Sequence, residues 1–322
     1  MLRVGIVGAG FMGTTHAASI VELEDTKLVG FYDLIHEKSG KLAKKFGGKV
    51  FENPDDLFEE SDVIILAIPP TERKDYYEKL IDLGKAIFAE KPVFRTYEDA
   101  EWLEQKLSSK PVPFMVGHIV RYFPEFLKVK EEYSNGNLGE ISMIRSARVG
   151  PIPHWADWFK KFSMSGGVIL DLAIHDIDFW SWMLGPVESM SAVSNSFSEN
   201  IETDHCIVTM KFKNGTVAHI EGGWSYPSDS PFKYSYEVVG TKEVLSFDSL
   251  KNHTIISYQD GIKFSHPTLI NPYKIMMADF IKSLKEGKDV PIKLKDGIIS
   301  LKLALKAIES AKSGTVINNV EE

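Results

Sequence analysis

Residues 2–13 read Leu2-Arg3-Val4-Gly5-Ile6-Val7-Gly8-Ala9-Gly10-Phe11-Met12-Gly13. A short aliphatic run stops at Gly8, the spacing G-x-G-x-x-G follows, and a helical pattern takes over at about 12–22. In such a strand–turn–helix, Gly8 permits a tight turn and Gly10 lets the backbone approach a pyrophosphate. Gly13 lets helix and strand pack closely. The helix start at Phe11 and Met12 then offers N–H groups and a positive partial charge to an anion. The bland alternative is that the glycines only shape a turn. Their place directly between an aliphatic strand and a helix favours a dinucleotide.

Outward from this motif, aliphatic strand patterns at 2–7, 28–32, 63–68, 86–89 and 112–116 alternate with helical ones at 12–22, 35–46, 72–83 and 97–107. Continuous aliphatic strands between amphipathic helices indicate a parallel sheet covered on both faces. After Arg121 the rhythm changes. A helix at 124–133 precedes strand patterns at 141–149, 187–197, 205–212, 217–224, 234–239 and 244–247, and helices return at 273–286 and 296–313. Asn214-Gly215 is a hairpin signal, and Cys206, Val208, Met210 and Phe212 alternate with more polar neighbours. The expectation is an α/β nucleotide domain at 1–120 and an α+β domain with a largely antiparallel sheet at 121–322, whose C-terminal helix packs back toward the first domain.

The bulk numbers agree with that division. A chain of 322 residues exceeds one ordinary core, and 43% hydrophobic with 25% charged residues describes a folded protein. A net charge of -8 without a long basic run speaks against nucleic acid or an anionic membrane as a partner. Cys206 is the only cysteine, which excludes an internal disulfide and a cysteine zinc cage. The start lacks the n-region and long apolar core of a signal peptide, and runs such as 63–70 are far short of a membrane span. A cytoplasmic protein acting on small molecules is expected.

Ligands of open α/β sheets sit beyond the carboxyl ends of the strands. The glycine loop, Asp33, Ile68-Pro69-Pro70 and Glu90-Lys91-Pro92 all fall at such ends, so all are candidate cofactor contacts. Asp33, twenty residues beyond Gly13, suits the adenosine ribose hydroxyls and would repel a 2′-phosphate. Leu34, Ile35 and His36 follow it with no arginine, so NAD is favoured over NADP. A helix N-cap is the competing use of Asp33. Lys91 could donate to a substrate oxygen as alkoxide character develops, or be a solvated turn lysine. Pro92 makes that turn stiff and allows a cis bond.

The second informative stretch is Gly166-Gly167-Val168-Ile169-Leu170-Asp171-Leu172-Ala173-Ile174-His175-Asp176-Ile177-Asp178. On a helix Asp171 and His175 share a face, beside an apolar stripe of Leu170, Ile174 and Ile177. Histidine moves protons near neutral pH, and a neighbouring carboxylate orients its ring. An N-cap aspartate and a hydrogen-bonded core histidine are the bland readings. A metal held by His154, Asp171 and His175 lacks a signature such as HExxH, and no metal is expected.

Glycine loop, Asp33, Glu-Lys-Pro and GG-x3-D-x3-H-x2-D, in this order, resemble the Gfo/Idh/MocA family of oxidoreductases. The resemblance spans essentially the whole chain. It implies a Rossmann domain, an α+β domain whose open sheet forms an oligomer interface, and a catalytic set of Lys91, Asp171 and His175. It further implies oxidation of a secondary hydroxyl of a sugar or cyclic polyol to a ketone, or the reverse. Arg121, His154 and Trp155 are candidate substrate contacts beside the catalytic set, and a homodimer or homotetramer is expected. Ile68-Pro69-Pro70-Thr71-Glu72-Arg73-Lys74 departs from the relatives' Thr-Pro-Asn and following histidine. Gly117-His118-Ile119-Val120-Arg121 also resembles the nucleotide-sugar 3-dehydrogenase branch. A dinucleotide-sensing regulator without catalysis would keep the glycines and Asp33 but have no need of Lys91, Asp171 and His175 together.

Overall fold

The computed structural model describes residues 1–320 except 155, 200, 252, 259–260 and 267–269. In chain order the elements begin with β1 (Leu2–Val7), α1 (Phe11–Ile20), β2 (Thr26–Tyr32), α2 (His36–Phe46), β3 (Lys49–Val50) and α3 (Pro54–Glu60). They continue with β4 (Val63–Leu66), α4 (Lys74–Asp82), β5 (Ala86–Glu90), α5 (Tyr97–Ser109), β6 (Phe114–Gly117) and α6 (Pro124–Ser134). Then come β7 (Ile141–Val149), α7 (Phe162–Ser165), α8 (Ile174–Leu184), β8 (Val187–Asn195), β9 (His205–Phe212) and β10 (Val217–Gly223). Last are β11 (Lys233–Gly240), β12 (Glu243–Asp248), β13 (His253–Tyr258), β14 (Gly261–Ser265), α9 (Pro272–Glu286), α10 (Leu294–Ser313) and β15 (Ile317–Asn318). Two compact units form: Met1–Ile119 with Asn271–Ile298, and Val120–Ile270 with Ile299–Glu322. Among the described residues no helix is long and apolar enough to cross a membrane.

The first unit is a six-stranded sheet in the order β3-β2-β1-β4-β5-β6, parallel throughout. Every residue of β4, β5 and β6 is buried, as helices on both faces require. The strand order reverses between β1 and β4, the place where such sheets hold ligands. The elements β3 and α3 lie outside the expected list, although Asn53 caps α3 through Asp55 N–H and Pro54 opens it. The late helix α9, assigned from sequence to the second domain, belongs to this unit. Its buried Met276, Met277, Phe280 and Ile281 extend the core, with Phe280 5.9 Å from Phe88 between ring centroids.

The second unit is a nine-stranded sheet in the order β14-β13-β12-β11-β7-β10-β9-β8-β15. All pairings are antiparallel except β7 with β10. Gly215, at φ +92°, turns the expected hairpin between β9 and β10. One face is buried through Ser146, Arg148, Cys206, Val208, Met210, Ala218, Ile220, Tyr236 and Val238. The helix α8 lies on that face: Trp180 Nε1 donates to Ser146 Oγ at 3.0 Å, and Arg148 pairs with Asp176. Polar alternation in β13 and β14 kept both strands out of the sequence expectation.

Candidate active site

Each glycine of the first motif has a measurable reason in the first unit. Gly8 sits at φ +96°, and a Cβ there would stand 2.5 Å from the Ala67 carbonyl oxygen. A Cβ on Gly13 would stand 1.9 Å from the Gly8 carbonyl oxygen, so helix and turn touch only because it is absent. Around Gly10 nothing lies within 4 Å of the Cβ position, which leaves the open approach a pyrophosphate needs. The helix α1 begins there without a side-chain cap and without an acidic residue in its first turn. Such a helix start suits an anion, whose charge its dipole and N–H groups favour. The loop fits a dinucleotide, with Phe11 exposed and Met12 half-buried at the helix start.

Asp33 ends β2 half-buried, and Asp33 Oδ2 accepts from Ala9 N–H at 2.7 Å. Its Oδ1 accepts from Ile35 N–H at 2.8 Å. It does not cap α2, whose N-cap is Ile35 without a side-chain bond. The carboxylate is instead tied to the glycine loop itself, each oxygen keeping a further lone pair for a hydroxyl. Ile68 and Pro69 are half-buried beyond β4, and Pro70 is buried.

The bond between Lys91 and Pro92 is cis, and Lys91 is half-buried. Glu90, a candidate cofactor contact, turns its carboxylate inward: Oε1 meets His16 Nε2 at 2.7 Å, and Oε2 accepts from Lys91 N–H at 3.2 Å. Burial pushes the Glu90 carboxyl up, but its hydrogen bond to His16 and the charges of His16, Lys91 and Arg73 outweigh this and hold it below its ordinary value. Its side chain thus bonds within the protein to His16 and to the turn. His16, fully buried, was missed from sequence because a histidine amid α1 carries no local signal.

In the second unit the late motif forms a more specific helix than expected. Residues Ile169–Ala173 make a π-helical turn, with Ile174 N–H reaching the Ile169 carbonyl, and α8 continues from it. Such turns concentrate at functional sites. Gly166 and Gly167 precede it at φ +76° and +70°, and a Cβ on Gly167 would stand 1.9 Å from Thr203 Oγ1. Asp171 lies inside the π turn, so it is not an N-cap. Between residues 168 and 184 every side chain is buried except Asp171, His175 and Trp182, which are half-buried.

The neighbouring acids do the anchoring. Asp176 pairs with Arg148 of β7 at 2.8 Å, both buried. Asp178 Oδ2 and Oδ1 accept from Arg121 Nε at 2.9 Å and Nη2 at 2.7 Å, and Oδ1 also accepts from Ser300 Oγ at 2.6 Å. Arg121, expected as a substrate contact, is 6% exposed, paired with Asp178 and stacked 4.8 Å over Trp182. Asp178→Ala is expected to cost about 3–5 kcal/mol, since it strands a buried guanidinium. Guanidinium chloride unfolding checks this, and a loss below about 1 kcal/mol, the range of exposed pairs, would contradict it.

His154 is exposed, Trp155 lies outside the described residues, and Trp158 stacks on Phe159 at 4.0 Å. Among the described residues no three His, Cys, Asp or Glu side chains gather to share a metal ion.

Comparison with known proteins matches both halves of the chain in order. Residues 2–118 match the oxidoreductase family with NAD-binding Rossmann fold. Residues 126–246 match the Gfo/Idh/MocA C-terminal domain. The chain is 26% identical to the myo-inositol 2-dehydrogenase of Thermotoga maritima, over 97% of this chain and 98% of the relative. It is 28% identical to the glucose-6-phosphate 3-dehydrogenase of Bacillus subtilis, over 81% of this chain and 78% of the relative. A solved myo-inositol dehydrogenase of Corynebacterium glutamicum shares the fold, with TM-score 0.84, 24% identity and 99% of each chain covered. The chain thus belongs to the Gfo/Idh/MocA family of oxidoreductases, with the family's NAD-binding Rossmann domain at residues 2–118.

Proposed function

We propose that the protein is a dehydrogenase that oxidises a secondary hydroxyl of a cyclic polyol or sugar to a ketone, or runs the reverse reduction. One observation carries the reading: on a helix otherwise buried, Asp171 and His175 are the titratable side chains left half-open. Burying their neighbours as Asp176–Arg148 and Asp178–Arg121 pairs fixes the backbone that presents them. Relatives named as inositol and sugar-phosphate dehydrogenases supply the substrate class.

Oxidation of a carbinol removes a hydride from carbon and a proton from oxygen. Bound NAD supplies the hydride acceptor. His175 takes the proton as general base. Asp171 orients the imidazole and favours the charge it acquires. Lys91 donates to the reacting oxygen and favours its anionic character. The proton leaves through His175. The open sheet face, with Met143, Ile207 and Val239 half-buried and Val193 and Val217 exposed, is where we place pairing with a second copy.

A coupled screen of cyclitols, free sugars, sugar phosphates and nucleotide sugars with NAD tests the reading. NADH formation with a cyclitol or sugar supports it, while silence across the panel favours a non-catalytic sensor. The cofactor assignment has its own check. Asp33→Ser removes a charged hydrogen-bond acceptor, so KM for NAD is expected to rise about tenfold. The preference ratio should move toward NADP, because the charge that repels a 2′-phosphate is gone. An unchanged ratio would show that Asp33 serves only the loop.

A further inference from the structure

We infer that Arg73 is a positioning residue for Lys91, acting through the backbone of the turn that carries it. This rests on the role given to Lys91 above. Arg73 is 2% exposed, among the largest buried side chains of the protein. The hydrogen bonds of its guanidinium go to main-chain carbonyls of two neighbouring strand ends. Nε and Nη2 donate to Ile68 O at 2.9 and 2.7 Å, just beyond β4. Nη1 donates to Pro92 O at 2.6 Å and also to Glu90 O, beyond and at the end of β5.

The two β5-side carbonyls bracket Lys91 in the chain. On the same residue, the Lys91 N–H is held by the Glu90 carboxylate, which His16 holds in turn. Tyr77 Oη adds a bond to Val93 O at 3.2 Å. The main chain is therefore fixed on each side of Lys91 by groups with no freedom of their own. A buried cation is costly, and a leucine or methionine would pack the same space without that cost. A planar fork that reaches three carbonyls at once is what a guanidinium offers and other side chains do not.

The consequence is catalytic rather than only structural, because a displacement of about 1 Å at a reacting group costs about 10²-fold in rate. The test compares Arg73→Met in two backgrounds, the native enzyme and Lys91→Ala, with turnover divided by sites counted through NADH fluorescence titration. In the native background kcat should fall about 10²-fold. In the Lys91→Ala background, assayed at high enzyme concentration, the same substitution should change kcat hardly at all, since the group it positions is already gone. Arg73→Lys, which keeps the charge but loses the fork, should fall between, and carries the same comparison if Arg73→Met does not fold. Equal losses in both backgrounds, or undiminished turnover of Arg73→Met beside an inactive Lys91→Ala, overturn the inference alone. Normal turnover of Lys91→Ala overturns the role of Lys91 itself.

Discussion

His175→Ala is expected to lower kcat by about 10²–10⁴-fold, the worth of a well-placed general acid–base group. NADH binding should survive. The glycine loop, at residues 8–13, belongs to the other unit. The helix itself should also survive. It is held to its sheet and to α10 by Arg148–Asp176, by Arg121–Asp178–Ser300 and by Trp180 on Ser146. His175 takes part in none of these bonds, and it is half-buried rather than enclosed. Truncation therefore removes a proton acceptor without opening a cavity in the core. Steady-state kinetics with parallel NADH titration checks this, and near-normal turnover by a folded variant would remove His175 from the chemistry.

Lys91→Ala should lose about 10²–10³-fold in kcat, as when one donor to a developing oxyanion is deleted. KM for NAD should change little, since on the proposed reading Asp33 and the glycine loop, not Lys91, bind the adenosine and pyrophosphate ends. Lys91→Arg is not a conservative control. A planar guanidinium delivers its donors in another geometry from a point-like ammonium, so it should restore only part of the rate. A rise in KM with kcat intact would instead mean that Lys91 binds substrate and transition state alike.

The first unit was legible because its signals are local. Glycines at fixed offsets, aliphatic strands and a strand-end carboxylate need no knowledge of distant residues. Gly8 and Gly13 each show a steric reason for glycine, and Gly10 leaves open space above its Cα. The second sheet was legible through β12, most clearly in the alternation of β9 and the Asn214-Gly215 turn after it, and β13 and β14 escaped it. What sequence could not give was pairing across long separations. Asp178 meets Arg121 and Ser300, 57 and 122 residues away. His16 meets Glu90 across 74. That is why Arg121 read as a substrate ligand and Glu90 as a cofactor ligand: both carry the right charge near the right place, and both spend it internally. Arg73 was visible only as an oddity of composition until its carbonyl partners were known.

The most direct measurement is a single-turnover experiment on enzyme saturated with NAD and mixed with a cyclitol or sugar substrate, following NADH absorbance. The native protein should form NADH in proportion to its sites, and Lys91→Ala/His175→Ala, binding NADH as tightly, should form almost none. A full burst of NADH from that double variant would contradict the account.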